Sequence, residues 1–278
     1  MRYGVVFPFD TVQDALRLAE TAEAAGWDGL FVGDGIFTLD PWVVLAAVAT
    51  RTTRLRIGTL LTPVSRRRPS MLAGEVATLD QLSDGRVILS VGLGALDTGF
   101  NNFGEETDRK ARAELLDEGL EIITRLWNRE PFDYSGKHYR VKALNRPLPA
   151  PVQKPRVPIW VVGAWPHPKS IQRALRWDGW LTAKRNPDGS GFAAIMPDDI
   201  REMAAYAKTH RASSAPFDIV IEGETPLGDA AQAAATVRPY ADAGATWWIE
   251  SLWTHNDLEY LHARIEQGPP RAEPNLER

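Results

Sequence analysis

The chain has 278 residues, 44% of them apolar and 24% charged, with a formal net charge of −4. This is the balance of a soluble globular protein able to bury a large core without staples, and its acidity argues against a nucleic-acid surface, which is basic and clustered. There are no cysteines, so disulfides, thiolate catalysis and cysteine-ligated metals are excluded; no apolar run has the length of a membrane span, Met1–Pro8 is too short an apolar stretch for a signal peptide, and a cytoplasmic protein is expected.

In chain order, short apolar runs alternate with longer amphipathic segments. Val5–Phe7 reads as a strand and Val12–Ala25 as a helix, because Val12, Ala15, Leu16, Ala19, Ala22 and Ala25 recur on one side. Gly26 is placed to end that helix. Leu30–Val32 is the second strand, and Pro41–Ala49 the next helix, with Asp40 as N-cap and Pro41 in its first turn. The third unit is strand Leu55–Leu61 with a helix within Ser70–Leu82, and the fourth is Val87–Val91 with Ala111–Trp127. Ile159–Val162 and Gly179–Leu181 are strands five and six, with a short helix Lys169–Arg176 between them and Asp198–Thr209 after them. Phe217–Ile221 and Thr246–Ile249 are strands seven and eight, with helices Asp229–Ala243 and Asp257–Glu266.

Strict βα alternation implies parallel strands beneath a layer of helices. Eight such units favour a single (β/α)₈ TIM barrel over residues 1–267 rather than an open doubly wound sheet. Two stretches break the alternation. Residues 129–158 place Phe132, Tyr134, Tyr139 and Val141 around Ser135-Gly136-Lys137-His138, which predicts a β-hairpin. The same insertion, between strands four and five, then carries Pro147, Pro149, Pro151, Pro155 and Pro158 as an extended connector. Residues 268–278 read as a loosely ordered tail.

In a barrel the reactive residues stand on loops after the C-terminal strand ends. Here these are Phe7–Thr11, Gly33–Asp40, Thr59–Pro69, Gly92–Phe103, Gly163–Pro168, Thr182–Gly191, Glu222–Pro226 and Glu250–His255. Asp34 is a candidate for orienting a substrate, and equally a capped turn residue. The five histidines, His138, His167, His210, His255 and His262, show no HxxxH spacing and indicate no metal site. His167 and His255 lie on these loops and are candidates for proton transfer. Arg66-Arg67-Arg68 reads first as a solvated charge run, with an anionic group as the alternative and Arg68 as a candidate substrate contact. Lys184-Arg185 raises the same choice, with a phosphate as the alternative. Trp165, Trp247, Trp248 and Trp253, with Phe7, are candidates to line an apolar substrate pocket, although core packing explains at least one of each adjacent pair. Gly163-Ala164-Trp165, leading into the helix that carries Lys169 and Ser170, is either an ordinary loop or a phosphate cradle at a helix N-terminus.

The most informative segment runs from strand three to the end of strand four: Ile57-Gly58-Thr59-Leu60-Leu61-Thr62-Pro63, Arg66-Arg67-Arg68-Pro69, Ala77-Thr78-Leu79-Asp80-Gln81-Leu82-Ser83-Asp84-Gly85-Arg86 and Val91-Gly92-Leu93-Gly94. With Ala24-Ala25-Gly26-Trp27-Asp28, Arg125-Leu126-Trp127, Gly136-Lys137-His138-Tyr139 and Trp177-Asp178-Gly179-Trp180, it resembles the bacterial luciferase-like superfamily over nearly the whole chain. That superfamily includes flavin monooxygenases and dehydrogenases and reductases that use a deazaflavin, coenzyme F420. The resemblance implies a flavin held by strand three, strand four and the strand-five loop. On this chain those positions are Thr59, Leu60, Gly92, Gly94, Gly163, Ala164 and Trp165, with Lys169, Ser170 and Lys184 near the phosphate. Gly92 and Gly94 then leave room for a planar ring, where without the resemblance they read as a tight βα turn. It also implies a non-proline cis peptide at Thr59–Leu60, a homodimer, and a separate reductase that supplies the reduced cofactor.

Departures from the family narrow the chemistry. Relatives commonly place an acid followed by histidine after strand two, where this chain has Asp34-Gly35, and sugar-phosphate dehydrogenases of the deazaflavin branch place a glutamate where it has Ala95. Alcohol oxidation needs a base near the carbinol proton, so oxygenation or reduction by a reduced cofactor is the expected chemistry. A monooxygenase using reduced FMN and oxygen on a small organic substrate is expected first, and an F420-dependent reductase or dehydrogenase second. A barrel that binds flavin without catalysis is the reading from a different class.

Overall fold

The computed structural model describes residues 1–143, 146–186, 188 and 191–271. Eight strands, β1 (Arg2–Val6), β2 (Gly29–Val32), β3 (Arg56–Pro63), β4 (Val87–Gly92), β5 (Ile159–Trp165), β6 (Gly179–Lys184), β7 (Asp218–Gly223) and β8 (Trp247–Ser251), close into a barrel in the order β1-β8-β7-β6-β5-β4-β3-β2. Because β1 pairs in parallel with both β2 and β8, the sheet has no edge, which rules out the open doubly wound alternative. Eight helices follow the strands: α1 (Val12–Ala24), α2 (Pro41–Arg51), α3 (Pro69–Leu82), α4 (Arg109–Trp127), α5 (Pro168–Leu175), α6 (Pro197–His210), α7 (Ala230–Ala243) and α8 (Leu258–Glu266).

Local chemistry sets the helix starts. Asp40 accepts from the N–H groups of Trp42 and Val43, with Pro41 at the first helical position. Asp108, Asp229 and Asp257 cap α4, α7 and α8 in the same way, each such cap contributing about 1 kcal/mol. Strands five and six run three residues beyond their apolar cores, because Gly163, Ala164 and Trp165 pair with Thr182, Ala183 and Lys184. The segment read as a loop, Gly163–Trp165, is therefore strand.

The chain packs as two compact units, one of residues 1–31, 54–56 and 160 onward, the other of residues 32–53 and 57–159. In the second, the predicted hairpin forms between Tyr134–Ser135 and Arg140–Val141. It is held to α4 by Glu118, whose carboxylate accepts from the backbone N–H groups of Lys137, His138 and Tyr139. The proline connector is tied down by Asp80, which is fully buried on α3 and accepts from the N–H groups of Val152 and Gln153 and from the Gln153 amide.

In the first unit, Phe31, Trp160 and Trp247 meet with ring centroids 5.2–6.1 Å apart. Gly179 pairs directly with Trp160 across β5 and β6, and any side chain there would collide with the indole. On the opposite face of β8, Glu250 and Arg264 form an ion pair at 3.0 Å with both side chains fully buried. Glu250 also accepts from the Trp248 indole, the Thr225 hydroxyl and the Thr225 N–H. The start of the predicted tail is docked: Gly268 and Pro270 are buried, and Arg271 donates to Gly26 O and reaches Asp28. Residues 272–278 lie outside the described residues.

Removing one member of a buried ion pair strands the other charge, at a cost of about 3–5 kcal/mol. Arg264→Met is expected to lower the unfolding free energy by that amount. The double variant Glu250→Gln/Arg264→Met should recover most of it. Urea denaturation of both variants beside the wild type checks the pair.

Candidate active site

Chemistry on a (β/α)₈ barrel gathers beyond the C-terminal strand ends. In the second unit these are the ends of β2, β3 and β4. Asp34, just past β2, is 1% exposed at its side chain and is held by the Arg67 guanidinium through two hydrogen bonds, at 2.9 and 3.2 Å. Arg66 adds a bond to the Asp34 carbonyl. Burial works against the Arg67 charge, but Asp34, with Glu75 and Asp40 nearby, raises its pKa above the ordinary value. The predicted charge run is thus split: Arg66 and Arg67 fold inward to anchor the β2 loop, and Arg68 stays exposed just before α3. Asp34 anchors this loop, and its carboxylate is fully engaged.

The ladder between β3 and β4 pairs Thr59 with Leu89 and Thr62 with Val91, so β3 carries one residue more than its partner. Residues three apart on a regular strand face opposite ways; the bulge brings Thr62 and Thr59 together instead. The Thr62 hydroxyl donates to Thr59 Oγ1 at 3.0 Å, and Thr59 donates to the Ser90 carbonyl at 3.2 Å. The non-proline cis peptide is Leu60–Leu61, inside the bulge and one residue later than the Thr59–Leu60 bond the resemblance implied. Opposite it, the Ser90 hydroxyl is buried without a hydrogen-bond partner.

At the end of β4, Gly92 is buried and Gly94 has φ +76°. A side chain at Gly94 would come 2.7 Å from the Phe100 ring and 3.0 Å from Pro63, so its missing side chain makes room for those neighbours. Arg112, on α4 and 5% exposed, donates to the carbonyls of Leu93 and Gly94 and lies 5.5 Å over Phe100. Burial pulls its pKa below the ordinary arginine value. Phe37 and Phe103, 72% and 62% exposed, pack against each other at 5.9 Å on the loops after β2 and β4.

In the first unit, several expected contacts face the helix layer. Trp165 packs edge-on against Tyr206 of α6, and Lys184, its partner across β6, binds both carboxylate oxygens of Asp199 on the same helix. A side chain on Gly163 would collide with the Trp180 indole, whose Nε1–H donates to the Gly163 carbonyl. Ser170 Oγ accepts from the Ala164 N–H, while His167 and Lys169 are exposed at the start of α5. Ala164 is 6% exposed, and Phe7 is buried at 1% against Phe9. Of the proposed phosphate cradle, Lys184 and Trp165 are thereby turned to the outer face.

The ends of β7 and β8 bring together residues that sequence reasoning treated separately. Ser251 donates to Glu222 Oε2 at 2.9 Å, and the half-exposed Trp253 indole donates to the same oxygen at 3.2 Å. His255 is 2.7 Å from Glu224 and stacks on Tyr260. Glu222, Ser90 and Arg112 were not singled out in the sequence. Glu222 carried a readable signal, as a charged residue inside an apolar strand run, Ile219-Val220-Ile221-Glu222-Gly223. Among the described residues no group of three or more acids or histidines could hold a metal, and no helix is long and apolar enough to cross a membrane. A groove of about 1000 Å³ lies away from the strand ends, between α3 and the proline connector, lined by Gln81, Arg129, Arg146 and Lys154 among others.

Gly163→Ala separates packing from ligand contact. Filling the space of the Trp180 ring is expected to lower stability by about 1–3 kcal/mol, read in thermal or urea unfolding of the cofactor-free protein. Unchanged stability would return Gly163 to the list of cofactor contacts.

The profile of the luciferase-like monooxygenase family matches residues 1–275. An uncharacterised protein of Mycobacterium tuberculosis (strain H37Rv) is 37% identical over 162 residues, and the match spans 58% of this chain and 56% of that protein, about half its length. Among solved structures, an F420-dependent secondary alcohol dehydrogenase in complex with an F420-acetone adduct superposes with a TM-score of 0.77 at 17% identity, covering 98% of this chain and 99% of the other. The oxygenating constituent of 3,6-diketocamphane monooxygenase from Pseudomonas putida, in complex with FMN, gives 0.72 at 14% identity, covering 96% and 95%. At these identities the two structures share the fold, and the family match goes further: the chain belongs to the luciferase-like monooxygenase family.

Proposed function

We propose that this barrel works with a reduced cofactor, as a monooxygenase using reduced FMN and molecular oxygen on a small apolar organic substrate. The observation that carries the reading is the β3 bulge with the partnerless Ser90 hydroxyl opposite it. A buried hydroxyl without a partner costs about 1–3 kcal/mol. A flat heterocycle rich in polar edge atoms, set against Leu60–Leu61 and Ser90, would meet that need. Such a cofactor, when bound, supplies the two-electron transfer that no side chain here can supply. The chain's part is to hold it: Thr59 and Thr62 fix the shape of the bulge, and Arg112 fixes the Leu93–Gly94 backbone. The exposed Phe37–Phe103 pair suits an apolar substrate. The reduced cofactor would come from a separate reductase, and the working form would be a homodimer in the cytoplasm.

A second reading, an F420-dependent reductase acting on an organic acceptor, is favoured by Glu222, a carboxyl group placed to handle protons. Titration with FMN and with F420, followed by fluorescence quenching, tells the two apart at the binding step. Fast reoxidation of the reduced complex by oxygen supports the monooxygenase, and fast reoxidation by an enone supports the reductase. Rapid reduction of oxidised F420 by a simple alcohol would overturn both readings. Ser90→Ala is expected to weaken binding of whichever cofactor the wild type holds about fivefold, the loss of one hydrogen bond of ~1 kcal/mol. The same variant should be at least as stable as the wild type without cofactor. Unchanged affinity would detach Ser90 from the site.

A further inference from the structure

The groove between the end of α3 and the proline connector lies wholly within the second compact unit. Its described lining carries three cations, Arg129, Arg146 and Lys154, and no acid. None of the three has a described carboxylate within ion-pair distance, in a chain whose net charge is −4. Exposed cations nearby and elsewhere are paired: Lys137 with Glu114, Arg125 with Glu121 and Arg201 with Asp198. An adjoining cleft adds Lys142 and a single acid, Glu130.

The connector wall is fixed from behind. Asp80 holds Val152 and Gln153, the Gln153 amide donates to the carbonyl of Val87 at the start of β4, and Gln81 donates to the Ala150 carbonyl at 2.6 Å. A wall held this way need not be ordered by its ligand. Arg129 adds a second, independent sign. It follows Asn128, the C-cap of α4, with φ +63°, the left-handed conformation that glycine fills at least cost. An arginine there gives up stability and gains a guanidinium in the groove.

We propose that this groove is the docking site for an extended, acidic segment of a protein partner. The inference is independent of the cofactor reading. Small-molecule sites enclose most of their ligand's surface, whereas Arg129, Arg146, Lys154, Pro147 and Pro149 are all exposed. A groove of about 1000 Å³ with open sides instead takes a length of chain. Carboxylates of that chain pair with the three cations, and its apolar side chains lie on the proline rings and Leu148. Proline has no N–H to donate, so the connector offers little as a strand edge and recognition falls to the side chains. A groove of one charge sign on a protein of the other also steers an acidic partner toward it, an effect that salt weakens. The groove lies at the N-terminal end of β4, so an occupant leaves the Gly92–Gly94 loop at the other end uncovered.

The probe is a fluorescein-labelled peptide of glutamates around a central leucine, titrated with the full chain at low salt and read by fluorescence anisotropy. It is expected to bind, to weaken as salt is raised, and to lose binding when glutamine replaces each glutamate. Arg146→Glu/Lys154→Glu should weaken binding about tenfold, the loss of two exposed charge pairs. Lys208→Glu/Arg238→Glu makes the same change in net charge on the exposed faces of α6 and α7 and should leave binding intact. Zero-length carbodiimide cross-linking, read by peptide mass spectrometry, should join the peptide to Lys154. Arg129→Gly separates function from fold: it should melt at a higher temperature than the wild type, because glycine accepts the positive φ, and yet bind the peptide less tightly. A wild type that does not bind, an equal loss in the α6 and α7 control, or unchanged binding in Arg129→Gly would overturn the proposal. Displacement of the peptide by citrate or inorganic pyrophosphate at equal concentration would overturn it too, by making the groove a small-anion site.

Discussion

The structure depends on fitting tryptophans into a closed barrel, and glycines on neighbouring strands make that possible. Trp160 on β5 lies against Gly179 on β6, Trp180 on β6 against Gly163 on β5, and Trp248 on β8 against Gly223 on β7; a side chain at any of the three glycines would collide with the ring. Each indole N–H then finds an acceptor, respectively the Asp218 carboxylate, the Gly163 carbonyl and the Glu250 carboxylate. The energies explain the arrangement. A glycine inside a strand costs about 0.5–1 kcal/mol against alanine, whereas a tryptophan burying roughly 150–250 Å² gains several times that at ~25 cal/mol per Å². Ring and glycine must stay aligned, so each pair also fixes strand register, and a one-residue slip would turn every ring to the wrong face.

Charge does for the loops what aromatic packing does for the strands. Arg67 holds the β2 loop through Asp34, Arg112 holds the β4 loop through the Leu93 and Gly94 carbonyls, and Arg264 holds the β7 loop through Glu250 and Thr225. Long planar cations suit this task because a guanidinium can serve several acceptors in fixed directions while its stem packs on apolar neighbours. An acid engaged this way is unavailable for chemistry. The partners of a carboxylate, more than its place on a loop, therefore separate the anchoring acids from Glu222.

Much of the fold was legible because it rests on local rules. Asp40-Pro41, Asp229 and Asp257 mark helix starts because a carboxylate at the cap accepts from the free N–H groups of the first turn, and the eight alternating runs are the eight strands and their helices. The site was less legible, since its residues are defined by what they meet. Gly163 reads the same whether a phosphate or an indole occupies its missing side chain, and it is the indole of Trp180, seventeen residues away, that does. Lys184 ends a strand in either case, and only the position of Asp199 on α6 shows which way its ammonium turns. Arg66, Arg67 and Arg68 are identical residues in a row. Two fold inward and one is exposed, because Asp34, some thirty positions earlier, selects among them.

The β3 bulge shows why the most consequential feature left the weakest trace. Ile57 to Leu61 is an apolar run, and a continuous run carries no alternation in which an inserted residue would show. The insertion is visible only in three dimensions, where it brings hydroxyls three residues apart onto one side and leaves Ser90 without a partner across the ladder. A regular strand would turn Thr59 and Thr62 to opposite faces, and their hydroxyls could not meet. The bulge is held by its own side chains instead: the Thr62 hydroxyl donates to Thr59, and Thr59 donates in turn to the Ser90 carbonyl, so the inserted residue leaves neither threonine hydroxyl without a partner.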